Sequence, residues 1–169
     1  MANLMQKNWY WLTLLALPFL FAFRRRNDWD YIVTPQKIRN DAAGDGSWGV
    51  DRDNGKRKHN GIDFLVRNGQ YVHTPIPGKV VRYANPYPED GRWGGLLIQG
   101  SGEYAAYQVK IFYIQPIAKP GQTLGMGSVV GRAQSISIKY GSNMLDHVHV
   151  EVYRDGQLIN PATVLSISS

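Results

Sequence analysis

Three of the four histidines in this 169-residue chain fall in two short motifs. The first is His59-Asn60-Gly61-Ile62-Asp63. The chain has no cysteine, so any metal ion must be held by imidazole nitrogens and carboxylate oxygens. In an extended strand His59 and Asp63 would stand ~13 Å apart. Two ligands of one tetrahedral ion must bring their donor atoms within a few ångströms of each other. The chain therefore has to bend between them, and Gly61 permits a bend. A single helical turn would also serve, but Gly61 and the flanking turn residues disfavour it.

The second motif, His147-Val148-His149-Val150-Glu151-Val152, alternates as a half-buried strand does. Val148, Val150 and Val152 are predicted to face a core. His147, His149 and Glu151 then share the opposite face. Two imidazoles at this spacing can point into one cleft, one ligating a metal and the other working beside it. Together the two motifs point to a metal site of the zinc type. His73, in Val72-His73-Thr74-Pro75, has no partner motif and reads as an ordinary loop residue.

The elements that must position these residues read as short strands. Apolar runs recur between turn signals at 61–66, 70–74, 79–84, 94–99, 104–117, 128–133 and 147–153. Pro75-Ile76-Pro77-Gly78 and Asn85-Pro86-Tyr87-Pro88 are breaks, and Arg154-Asp155-Gly156 is a hairpin turn before a strand at 157–159. The stretch 41–58 is rich in Gly and Asp and reads as loop. The predicted fold class is all-β: a mainly antiparallel sheet, or two packed sheets, with long loops. A short N-terminal hydrophobic helix precedes it.

That helix is Trp9 to Phe23, which carries no charge. At fifteen residues it would span ~22 Å, short of a ~30 Å hydrocarbon core. The length suits a signal sequence or a short anchor. No small-residue cleavage site follows, so the reading is an uncleaved contact with the membrane through residues 9–23. Arg24, Arg25 and Arg26 would hold that flank in the cytoplasm by the positive-inside rule. The expected organisation is a signal or anchor segment at 1–26, a stalk at 27–40, and a β domain at 41–169. The net charge of +6 suits solubility or an anionic envelope polymer. Lys56-Arg57-Lys58 is too short a run for nucleic acid. A monomer is expected.

Residues 44–165 resemble the lysostaphin/LytM-type zinc endopeptidases (the M23 peptidases, of the duplicated hybrid motif fold). Ordered motifs carry the likeness: His59-x-Gly61-x-Asp63; Gln70-x-Val72-x-x-Pro75-x-x-Gly78-x-Val80; Gly121-x-x-Leu124-x-x-Gly127-x-x-Val130-Gly131; and His147-x-His149. The resemblance implies that His59, Asp63 and His149 hold Zn2+ and that His147 acts on the catalytic water or the transition state. It implies peptidoglycan peptide cross-links as substrate and the cell envelope as location, which sits uneasily with the arginines after Phe23.

One departure stands out. The family commonly places a second catalytic histidine in a YxHL-like stretch, and here that stretch is Tyr113-Ile114-Gln115-Pro116. Gln115 then takes the position of the histidine. A carboxamide donates a hydrogen bond but carries no positive charge at neutral pH. The stretch from Val109 to Pro116 also resembles the vertebrate leukocyte chemotaxin branch, which is regarded as zinc-binding without evident peptidase activity. Two functions follow as expectations. One is a cell-wall zinc endopeptidase weakened at Gln115. The other is a non-catalytic zinc-containing binding module of the same fold.

Overall fold

A computed structural model describes residues 29–168. The predicted helix at 9–23 lies outside the described residues. Among those described, the regular secondary structure is almost all strand, as the patterning predicted. Two small hairpins come first: β1 (Asn40–Asp41) with β2 (Gly44–Asp45), and β3 (Asp51–Arg52) with β4 (Arg57–Lys58). Both occupy the stretch expected to be loop. Their turns are tight, with Asp53, Asn54 and Gly55 all at positive φ in the second.

The strands that follow are β5 (Ile62–Leu65), β6 (Tyr71–His73), β7 (Gly78–Tyr83), β8 (Gly95–Gly100), β9 (Tyr107–Phe112) and β10 (Ile114–Pro116). After them come β11 (Thr123–Leu124), β12 (Val129–Ala133), the single-turn helix α1 (Ser137–Tyr140), β13 (His147–Arg154) and β14 (Gln157–Ile159). A large antiparallel sheet runs β11-β7-β8-β9-β13-β14, with β5 also paired to β13. A smaller sheet runs β10-β12-β6. His73 is thus a strand residue of the small sheet, opposite Val129, and not a loop residue.

β13 is the spine of the site. Its first half pairs with β5 on one side, and most of its length pairs with β9 on the other. Val148, Val150 and Val152 are fully buried, as the alternation required. Each contributes roughly 1.5–3 kcal/mol by leaving water. They pack with Ile62, Phe64, Leu96, Ile98, Val109 and Ile111 from the neighbouring strands.

The run read as one strand at 104–117 is broken at Tyr113, whose φ is 63°. This left-handed residue ends β9 in the large sheet and starts β10 in the small one. One residue therefore sets the corner between the two sheets.

Residues 29–40 of the expected stalk pack into the domain instead. Trp29, Ile32 and Val33 are buried in the core, and the Trp29 ring meets Tyr104 and Tyr107 edge-on. Gln36 is buried too; its side chain accepts from the Ile32 amide and donates to the Ser166 carbonyl. Three large apolar side chains in a polar stretch suffice to fold it onto the sheet.

Candidate metal centre

The register of the large sheet assembles the site. Opposite residues of an antiparallel pair point to one face. His149 stands across from Asp63 on β5 and from Phe112 on β9. Two segments far apart in sequence thereby place a carboxylate and an imidazole side by side. His59 enters from before β5, with a bend at Gly61 between them.

The close fit at Gly61 is steric. A Cβ there would lie 2.3 Å from the Val150 carbonyl oxygen and 2.7 Å from Nε2 of His149. The carbonyl is backbone of β13 and does not retreat without moving the sheet, and the imidazole clears the Cβ only by turning out of its place beside Asp63 and His59. Gly61→Ala is expected to cost about 1–3 kcal/mol of stability and to weaken metal binding. Thermal unfolding and a zinc titration on the same protein check this. An unchanged melting temperature would show that β13 yields more easily than its pairing suggests.

Three donor atoms converge. Nε2 of His59 is 3.0 Å from Nδ1 of His149, Nδ1 of His149 is 2.9 Å from Oδ1 of Asp63, and Nε2 of His59 is 3.2 Å from that same oxygen. For ligand bonds of about 2.0–2.1 Å, the edges of a tetrahedron are roughly 3.3–3.4 Å. The trio therefore fits one face of a four-coordinate metal ion, and His59, Asp63 and His149 form a group that could hold one.

Each donor is held by a neighbour. Nδ1 of His59 lies 2.8 Å from the Ser47 carbonyl oxygen, which places its N–H there and leaves the Nε2 lone pair free. Nε2 of His149 lies 3.4 Å from Oε1 of Glu151. The other oxygen of Glu151 accepts from Lys110 Nζ at 2.6 Å and from the Tyr153 hydroxyl at 2.5 Å. Burial pushes the Glu151 carboxyl up, but bonds from His149, Lys110 and Tyr153 outweigh it and bring it down to about 2. The Phe112 ring stacks on His149 at 5.9 Å. For Asp63, burial likewise acts upward and is overcome by the facing His149 and His59 imidazoles, leaving it well below the usual carboxylate range.

The second oxygen of Asp63 faces guanidinium groups. Arg39 reaches it at 3.2 Å and Arg52 at 3.5 Å. Arg39 is buried and also donates to Asp41 at 2.6 Å. The other Asp41 oxygen accepts from the Leu145 amide at 2.8 Å, and the Leu145 carbonyl in turn lies 2.8 Å from Nδ1 of His147. Arg39 and Asp41 thus tie the Asp63 carboxylate to the loop that orients His147. Sequence reasoning missed Arg39 because it sits in the supposed stalk. A lone arginine carries no local signal of burial.

His147 is buried beside the trio but apart from it. Its Nε2 is 3.9 Å from Oδ2 of Asp63, beyond the spacing of the three donors. With Nδ1–H directed to Leu145, Nε2 is left free to take a proton. Burial, the largest influence, lowers its basicity despite the nearby Asp63 charge. The imidazole is therefore neutral near pH 7.

His59, Asp63, His147 and His149 line one cleft of about 600 Å³. Arg52, Asp53 and Arg57 of the second hairpin form one wall, and Asn85, Pro86 and Tyr87 from the β7–β8 connection, with Tyr140 and Met144, form others. Gln115 is not among the lining residues. It is exposed, opposite Arg132 on the small sheet, because β10 alternates with Ile114 inward and Gln115 outward. Tyr113 lines the cleft instead, its ring edge-on to His147 at 5.3 Å. The position expected to hold a weakened catalytic residue thus points away from the site, and a tyrosine two residues earlier points in. His73 does not line the cleft either, so among the described residues no imidazole beyond His59, His147 and His149 lines it.

The sequence pattern of Peptidase family M23 matches residues 57–161, a span that contains His59, Asp63, His147 and His149. The chain belongs to peptidase family M23. Among curated relatives of this M23 chain, leukocyte cell-derived chemotaxin-2 of Bos taurus is 29% identical over 112 residues, covering 66% of this chain and 69% of that protein. An uncharacterized metalloprotease of Haemophilus influenzae is 30% identical over 108 residues, covering 64% of this chain but 21% of its own length. Myeloid protein 1 of Gallus gallus is 33% identical over 116 residues, covering 66% of this chain and 33% of that protein. The chain therefore spans only a fraction of two of these relatives.

Solved structures share the fold. A zinc-containing peptidase from Vibrio cholerae superposes with a TM-score of 0.60 at 21% identity, covering 85% of this chain and 41% of that one. The catalytic domain of a prophage-encoded M23 protein from Enterococcus faecalis gives 0.55 at 22% identity, covering 82% and 98%. The catalytic domain of the antimicrobial peptidase lysostaphin from Staphylococcus simulans gives 0.54 at 18% identity, covering 69% and 86%.

Proposed function

We propose that this M23 domain is a slow zinc-dependent endopeptidase acting on peptide cross-links of bacterial peptidoglycan. The observation that carries the reading is the placement of one free imidazole nitrogen, Nε2 of His147, beside three donor atoms spaced for a tetrahedral ion. Membership of the family and a fold shared with lysostaphin support it. His59, Asp63 and His149 would hold the zinc, which when bound polarises a peptide carbonyl as a Lewis acid. His147 takes the proton of the attacking water at Nε2 and returns it to the leaving amine. Phe112 and Glu151 keep His149 from turning, and Ser47 does the same for His59. The location that fits is the cell envelope, with residues 9–23 as the contact to the membrane.

A second reading is a zinc-holding peptide-binding module with no turnover. It is favoured by one observation: the cleft has a single imidazole beyond the ligand set. The two separate cleanly. Purified chain is incubated with cross-linked peptidoglycan, and newly freed amino groups are counted by labelling. The expected result is slow release that stops on chelation and returns with zinc. Zinc-saturated protein that binds the polymer but frees no amine would establish the module and end the peptidase reading.

A further inference from the structure

The cleft holds three phenols in a hydrogen-bonded row. The Tyr87 hydroxyl is 3.0 Å from that of Tyr113 and 2.7 Å from that of Tyr140. They come from three unrelated places: the β7–β8 connection, the corner between the sheets, and helix α1. All three line the same cleft as the metal trio. Tyr113 and Tyr87 are also near-parallel rings 6.1 Å apart. Nothing in the core requires this arrangement, because the hydroxyl ends meet at the cleft and not in the interior.

Tyr113 holds its place at a cost. Its φ of 63° is one that an aromatic residue rarely adopts. That backbone turn is what swings its side chain into the cleft and sends Gln115 outward.

We infer that Tyr113 is a catalytic residue which donates a hydrogen bond to the anionic oxygen of the tetrahedral state, and that Tyr87 and Tyr140 are positioning residues that aim its proton. The inference rests on the peptidase reading of this site. Each hydroxyl has one proton and can also accept. When Tyr140 donates to Tyr87 and Tyr87 donates to Tyr113, the Tyr113 proton has no partner within the row and faces the cleft. Donation along such a chain polarises each hydroxyl in turn. Burial, above all, pushes the Tyr113 and Tyr140 hydroxyls up to about 12, so they remain donors at neutral pH. Tyr113 thereby supplies the donor that neither Gln115 nor His73 is placed to give. It supplies a neutral hydrogen bond where an imidazolium would add charge, which agrees with slow turnover.

The test uses zinc-loaded protein and two uncleavable peptides. One carries a phosphinate, a tetrahedral anion, in place of the scissile amide. The other carries an ethylene link there, with the same side chains and no anion. Affinities are measured by calorimetry on wild type, Tyr113→Phe and Tyr87→Phe, with zinc content determined for each. Tyr113→Phe is expected to bind the phosphinate about 10- to 100-fold less tightly, the worth of a hydrogen bond to a charged group. Its zinc content and its affinity for the ethylene peptide should not change. Tyr87→Phe should show a smaller loss with the phosphinate alone. Equal weakening toward both peptides would make Tyr113 a shaping residue and overturn the inference. Undiminished phosphinate affinity in Tyr113→Phe, or a wild type that ignores the phosphinate, would overturn it as well. Tight, Tyr113-dependent phosphinate binding by a protein that cleaves no cross-link would uphold the donor and reject the peptidase reading.

Discussion

His149→Ala is expected to take the chain from about one zinc per molecule to almost none. Loss of a supporting hydrogen bond around a metal ligand costs ~10- to 100-fold in affinity. Loss of the ligand itself should exceed that, because the remaining pair is one imidazole and one carboxylate. The structure adds a second reason. His149 makes the two shortest contacts of the trio, at 3.0 Å and 2.9 Å. It is also packed between Phe112 and Glu151, so water that fills the gap finds no ready-made geometry. Elemental analysis after dialysis against zinc-free buffer reads the result, with circular dichroism to show that the sheet persists. Full zinc content in a folded His149→Ala protein would show that the three converging atoms are not the ligand set.

His147→Ala should behave in the opposite way, keeping zinc while losing turnover. The imidazole sits beside the same carboxylate at 3.9 Å, but its Nδ1–H is committed to the Leu145 carbonyl and its free nitrogen lies outside the close trio. Removing a positioned general base costs roughly 100- to 10,000-fold in rate. The fall should appear in kcat, with KM little changed, because His147 moves protons during the reaction and does not hold the peptide in the ground state. Metal content and kinetics on one preparation decide the matter. A variant that releases zinc as readily as His149→Ala would mean that the two histidines of the strand have exchanged roles.

Much of this site is legible in the residues themselves. A strict alternation from His147 to Val152 fixes a strand with three valines inward, because successive side chains must point to opposite faces. It thereby fixes that both histidines look the same way. The absence of cysteine limits the ligands to imidazole and carboxylate, and the bend at Gly61 is required once His59 and Asp63 serve one ion. The run of short apolar segments between turns dictates an all-β architecture for the same local reason.

Tertiary structure alone decided the rest. Strand register sets Asp63 and Phe112 on either side of His149, and register depends on contacts between segments far apart in the chain. Trp29, Ile32 and Val33 look like scattered apolar residues in a polar stretch until a surface exists for them to cover, and Arg39 meets Asp63 because the same segment bridges to β5 at Ile38 and Phe64. Which side chain of Tyr113-Ile114-Gln115 enters the cleft turns on one left-handed residue. Spacing along the chain reports periodicity within an element. It is silent where a backbone corner resets that periodicity, and here the corner exchanges a glutamine for a tyrosine beside His147.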